Sequence, residues 1–444
     1  MILAIFLAFI ILYMAEFRLQ KSFISPCSLL LLSFIMATGL IAVNTENWEV
    51  VIYEDFPVYI FTAVMAFAAG CLLTEVICNA AAGRTETGIA QNIGFRDNYP
   101  AAMMAVLSAA CGIAYFYLLT KGMNFSGGMS KVLREIYIRA TTGSTRNFVL
   151  HQMLEIVIAV SKISIFQLFV IQYFRKRKTQ AGVIIIPVVV AMACMGISTD
   201  RNIFLRFIIY TVCLWVLFYS GSVDESRRKK NWHILKYAVI FAAVVVIVFY
   251  GLGKAKGYTS NFERMIGIYG GSGLYNFNLY LHDFPGRELQ MGNSTFATLQ
   301  NTLRALGIIG GTYDDTLAVD PMIIHYSSNW YAYASNVYSA MKPYLDDFGY
   351  FGMIIFPFIM GGFFELLYWF AKRYRFGFSW ICYALLIYPV LYFTVMEQFF
   401  ARLHLGIVYE IMWVLIFYYL IYGKNGIWRV RQTSSSETIE NGSW

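Results

Sequence analysis

The stretch FVLHQMLEIVIAVSKISIFQLFVIQY, residues 148–173, decides how the chain is read. A helix needs about 20 mostly apolar residues to cross the hydrocarbon core of a bilayer, and this stretch exceeds that. It carries three titratable residues, His151, Glu155 and Lys162. At about 100° per residue all three fall on one face of a helix. Charges inside a membrane are costly and turn toward a cavity or a partner. The same stretch therefore predicts a membrane span and a polar face directed into a bundle.

The pattern recurs on either side of it. Candidate spans cover 1–16, 26–43, 57–80, 100–120, 148–173, 181–197, 202–221, 235–252, 348–371, 377–397 and 404–422, of which the first, second and sixth are short. This predicts an all-α, polytopic integral membrane protein with about 11 transmembrane helices. Composition agrees: 59% of the chain is hydrophobic and 14% charged, against about 25% charged in a soluble domain. The net charge of +8 then reads as a topology signal and an anionic ligand, not as a nucleic-acid footprint. The cysteines, among them Cys71, Cys78, Cys111, Cys194, Cys213 and Cys382, lie in apolar stretches. They form no CxxC or Cys/His metal spacing and read as small core residues. The first 15 residues have a signal-like apolar core but no preceding basic region and no small-x-small cleavage pattern, so a retained first helix is expected.

Lys and Arg favour the inner side of short loops. Arg18 and Lys21, Arg84 and Arg96, Arg175 to Lys178, Arg227 to Lys230, Lys372 to Arg375, and Lys424 to Arg431 all fall on one side if the N-terminus lies outside. The expectation is N-terminus out and C-terminus in. Four parts follow: a bundle of about eight helices over 1–252, a large extracytoplasmic loop over 253–347, further transmembrane helices over 348–431, and a Ser/Thr/Glu-rich disordered tail over 432–444. A loop this long is uncommon without a function. Its apolar pieces, 274–281 and 296–310, read as short helices on the membrane surface.

Polar residues gather at one depth. His151, Glu155, Arg201, Arg206, Glu397, Arg402 and His404 all fall near the outer ends of spans, whereas Glu75 and Glu365 fall near the inner ends. Arg134, Arg139, Arg146, Arg264, Arg287 and Arg304 are further arginines placed outside, against the usual charge bias. An arginine fork matches phosphate oxygens. Arg201, Arg206, Arg264, Arg402 and Arg304 are therefore candidates to bind a diphosphate. The plain alternatives are snorkelling interfacial charges and attraction to anionic head groups. Buried Lys162 and Arg206 each need a counter-charge or an anion. The segment from Tyr269 to Asn278 is glycine-rich but lacks the features of a P-loop. It reads as a turn, or, from its Tyr and Asn side chains, as a sugar-binding surface. Asp346 and Asp347 read as helix N-cap residues, with a base or hydroxyl ligand as the alternative.

These segments carry a resemblance. Ser335-Asn-Val-Tyr338, Lys342-Pro-Tyr344, Asp346-Asp-Phe-Gly349 and Gly352 resemble the signature before a late helix in bacterial oligosaccharide repeat-unit polymerases, the Wzy-like polymerases of O-antigen and capsule. Gly270-Gly-Ser272 with Asn276-Phe-Asn278, and Gly292-Asn-Ser-Thr-Phe296, resemble earlier motifs of the same outer loop. Ser198-Thr-Asp-Arg201 with Arg206 resembles a shared helix start. The N-terminal third is similar only in hydropathy, and the Arg-x10-Gly spacing of some members is missing from the outer arginines.

The resemblance implies a GT-C-like membrane glycosyltransferase of the bacterial cytoplasmic membrane. Such an enzyme passes a glycan from polyprenyl diphosphate to the non-reducing end of another lipid-linked unit. It implies a base, for which His325, Asp347, His282 and His404 are candidates in falling order. It implies a glycan site, for which Asn276, Asn278, Asn336, Tyr338 and Lys342 are candidates. Asp314-Asp315 and Asp346-Asp347 are adjacent pairs rather than DxD, so neither metal nor cofactor is expected. The implied partners are lipid-linked donor and acceptor, membrane lipids, a chain-length regulator and a flippase, with no nucleic acid. A flippase of lipid-linked oligosaccharides and an O-antigen-type ligase remain open as other functions.

Overall fold

A computed structural model describes residues 1–82, 100–124, 126, 128–141, 148–174, 181–198, 201–220, 251, 262–283, 288–311, 323–326, 332–401 and 403–422. The expected eighth span, 235–252, apart from residue 251, and the tail 432–444 lie outside the described residues. Among those described, eight helices are long and apolar enough to cross a membrane. They are α1 (Ile2–Gln20), α2 (Pro26–Val43), α4 (Asp55–Ala82), α5 (Ala101–Thr120), α7 (Phe148–Phe174), α10 (Arg201–Ser220), α13 (Met341–Arg373) and α16 (Leu405–Tyr422). The chain is an all-α, multi-pass membrane protein. Other helices join them: α3 (Thr45–Trp48), α6 (Gly128–Thr141), α8 (Ala181–Ile184), α9 (Ile186–Ser198), α11 (Phe262–Asp283), α12 (Ala297–Ala305), α14 (Phe378–Leu386) and α15 (Tyr388–Leu391). One two-stranded antiparallel ribbon, β1 (Ile323–Tyr326) with β2 (Ala332–Ser335), pairs His325 with Tyr333.

Between membrane helices there is little hydrophobic drive to associate, so small residues that let backbones approach decide who packs against whom. The tightest pair is α4 with α13. A Cβ at Gly70 would collide with the carbonyl oxygen of Phe358, and one at Gly361 with that of Phe67. Across the same crossing the Cys71 thiol donates to the Gly361 carbonyl at 3.3 Å. A second group forms around α7, the most buried span, which packs on α5, α9, α10 and α16. Where α10 meets α14 and α7, aromatic rings interlock: Phe218 lies 5.0 Å from Trp380 and 5.5 Å from Phe166.

Three expectations change. The glycine-rich segment is neither a turn nor a surface element. It lies inside the 22-residue helix α11, whose Leu274, Tyr275 and Phe277 are buried. Glycine is a poor helix former, but here contact overrides propensity: a Cβ at Gly273 would strike the carbonyl oxygens of Thr394 and Val395. The expected span 348–371 starts earlier, at Met341, and kinks at Gly349, whose φ of 58° and ψ of −149° suit glycine. The expected span 377–397 stops at Leu391, and Glu397 lies in the connection to α16 instead of closing a helix.

Candidate functional site

The polar face of α7 meets charges from two other helices. Lys162 pairs directly with Glu410 of α16, and both are buried. Glu410 escaped the sequence reading, although an acid amid the apolar run 405–422 was a visible signal. It answers the demand of Lys162 for a counter-charge. The Tyr210 hydroxyl of α10 donates to the Lys162 carbonyl at 2.9 Å, and Trp413 Nε1 of α16 donates to Gln152 Oε1 at 2.8 Å. The three helices are thus held in register around the pair.

Toward the end of the bundle the cluster continues. His151 Nε2 lies 3.7 Å from Glu155 Oε1, one helical turn apart. The Arg206 guanidinium stands 5.6 Å from the Tyr388 ring centre and within electrostatic range of Glu410, Glu155 and His404. His404, just before α16, accepts the Gly406 N–H on Nδ1 at 2.8 Å. Burial, with Arg206 nearby, pushes its imidazole pKa down despite the opposing pull of Glu410. In the neutral ring that accepts on Nδ1, the proton resides on Nε2, so His404 offers a hydrogen-bond donor to the site.

The segment leading to His404 is shaped by Glu397. Its carboxylate accepts the N–H groups of Phe399, Phe400 and Ala401 at 2.7, 2.8 and 2.7 Å, and the Tyr344 hydroxyl at 3.2 Å. Burial raises its pKa while these backbone donors lower it. Arg402 lies next in the chain and is itself outside the described residues.

Other candidates fall elsewhere. Asn276 donates to the Val337 carbonyl at 2.7 Å, and Asn278 both donates to the Val51 carbonyl at 2.8 Å and accepts the Tyr53 N–H at 3.0 Å. Lys342 pairs with Asp346 at 2.9 Å beneath the rings of Tyr338 and Tyr280. These side chains tie α11 to its neighbours, and of the five glycan candidates Asn336 is the exposed one. Asp347 is buried and accepts the N–H groups of Ser294 and Thr295 at 3.0 and 2.5 Å. It caps the turn before α12, not its own helix. His282 is exposed and stacks on Tyr53 at 3.8 Å. Arg304 bonds to Asn301 at 3.1 Å and Gln300 at 3.5 Å on α12. Arg201 begins α10, Arg264 lies in the first turn of α11 and His325 in β1; their side chains are outside the described residues. Glu75 and Glu365 meet at the opposite end of the bundle, where Lys372 lies 3.5 Å from each.

Of the predicted site residues, the structure brings together Arg206 and His404, with Arg201 one and a half turns from Arg206 on α10. The chain matches no family model, no curated protein and no solved structure.

Proposed function

We propose that the protein is a polysaccharide polymerase of the bacterial cytoplasmic membrane. It transfers a glycan from polyprenyl diphosphate to the non-reducing end of a second lipid-linked repeat unit, on the extracytoplasmic face. The carrying observation is the convergence of Arg206, His404, His151 and Glu155, with α11 packed against Thr394 and Val395 in the connection that leads to His404. Glycosyl transfer from a diphosphate develops negative charge on the leaving group. Preorganised donors in a site of low dielectric stabilise that charge. Arg206 and the Nε2–H of His404 are such donors, at the depth where a carrier lipid places its phosphates.

The proposal includes an eleven-span, GT-C-like architecture with its N-terminus outside and residues 235–252 as the eighth span. Lipid-linked donor and acceptor are its substrates, and a flippase and a chain-length regulator its partners. Basic residues clustered at Arg18, Lys21, Lys372 and Arg373 favour that orientation.

The test is purified protein in nanodiscs with one lipid-linked repeat unit, read as a ladder of products. A ladder is expected. Movement of the lipid-linked sugar across the bilayer without bond formation would replace the reading with transport. Transfer only to a different lipid acceptor would replace it with ligation.

A further inference from the structure

Two candidate bases named from sequence, Asp347 and His404, do not supply a free carboxylate or imidazole to the Arg206 cluster. Asp347 is occupied by two backbone N–H groups, and His404 accepts a backbone N–H on the nitrogen that would have to take the proton. The two acids that do face the cluster differ sharply. Glu410 is compensated by its direct bond to Lys162. Glu155 is not. Its side chain is 12% exposed, and its nearest ionic neighbour, His151, stands at 3.7 Å, beyond hydrogen-bond length. Among the described residues it receives no hydrogen bond. His151 itself is 47% exposed, so the approach to Glu155 from the end of the bundle passes along the imidazole. The groups that face Glu155 are His151 and Lys162 of its own helix, Arg206 of α10 and Glu410 of α16.

A buried carboxylate without a donor costs free energy, and groups kept at such a cost cluster where chemistry is done. Resting on the polymerase reading above, we infer that Glu155 is the catalytic base that takes the proton of the acceptor hydroxyl. The acceptor oxygen bonds to the anomeric carbon of the donor sugar as the bond from that carbon to the diphosphate oxygen breaks. The electron pair leaves with the diphosphate beside Arg206, and the hydroxyl proton ends on the Glu155 carboxylate.

The test is E155Q, which keeps shape and removes basicity, in the ladder assay alongside wild type. General-base loss predicts a fall in transfer rate of about 100-fold to 10000-fold, with binding of lipid-linked donor retained and thermal stability equal to or above wild type. A variant that polymerises at near the wild-type rate overturns the inference. So does one that fails to fold or melts well below wild type, because the carboxylate would then be a structural tie. If wild type itself makes no ladder, the polymerase reading fails, an outcome separate from both.

Discussion

Lys162 of α7 and Glu410 of α16 bond to one another deep inside the bundle, 248 positions apart in the chain. Each resolves the burial of the other. Lys162 also stands 5.7 Å from the Tyr210 ring centre, so the pair links α7, α10 and α16.

Breaking this pair from one side leaves an uncompensated buried charge, a loss of about 3 to 5 kcal/mol. K162M and E410L should each melt well below wild type in detergent. The double variant K162M/E410L should recover most of the loss. Additive losses in that double-mutant cycle would mean that the two groups do not act as a pair.

Arg206 tests the anion site. R206A should lower polymer formation by about 100-fold or more, and R206K, which cannot offer a planar fork, should recover only part of it. Product ladders at equal protein concentration make the comparison. An R206A protein with wild-type ladders would remove the guanidinium from the chemistry.

The close crossings predict sharp steric intolerance. G361V and G273V should each destabilise by about 1 to 3 kcal/mol through overpacking, since backbone carbonyls occupy the space a side chain would need. Thermal melts of both variants check this, and a neutral G361V would mean that α4 and α13 are not in contact there.

His404 predicts a pH dependence with a definite sign. Its folded pKa is depressed, first by burial and then by Arg206. The stability it contributes is therefore fully present above its unfolded pKa of about 6.5 and is lost as pH falls through the folded value. The melting temperature of wild type should fall more between pH 7 and pH 5 than that of H404Q. Equal slopes would show that the imidazole is not held neutral by the fold.

E397A should loosen the approach to His404, because three backbone N–H groups and the Tyr344 hydroxyl lose their acceptor. Leaving buried donors unpaired costs about 1 to 3 kcal/mol. Limited proteolysis between residues 392 and 404 should accelerate relative to wild type, and unchanged cleavage there would argue against this role.

Sequence alone determined the class of the protein, because the lengths of apolar runs and the scarcity of charge are local properties that a bilayer reads directly. It also placed His151, Glu155 and Lys162 on one helical face, since 100° per residue needs no tertiary information. Tertiary structure alone decided what those groups meet. Glu410 reaches Lys162 only because α7 and α16 pack side by side, and nothing in a sequence spacing of 248 residues encodes that. The same holds for the glycines of α11: in the chain they read as a flexible turn, and only the backbone of Thr394 and Val395 pressing against Gly273 turns them into a helix face. Asp347 and Asn276, chemically capable of binding sugar, are spent on backbone N–H and carbonyl groups that no one-dimensional pattern could have assigned to them. Hydropathy and helical period act along the chain. Hydrogen-bond satisfaction and close packing act across it, so the site came into view only when distant segments met.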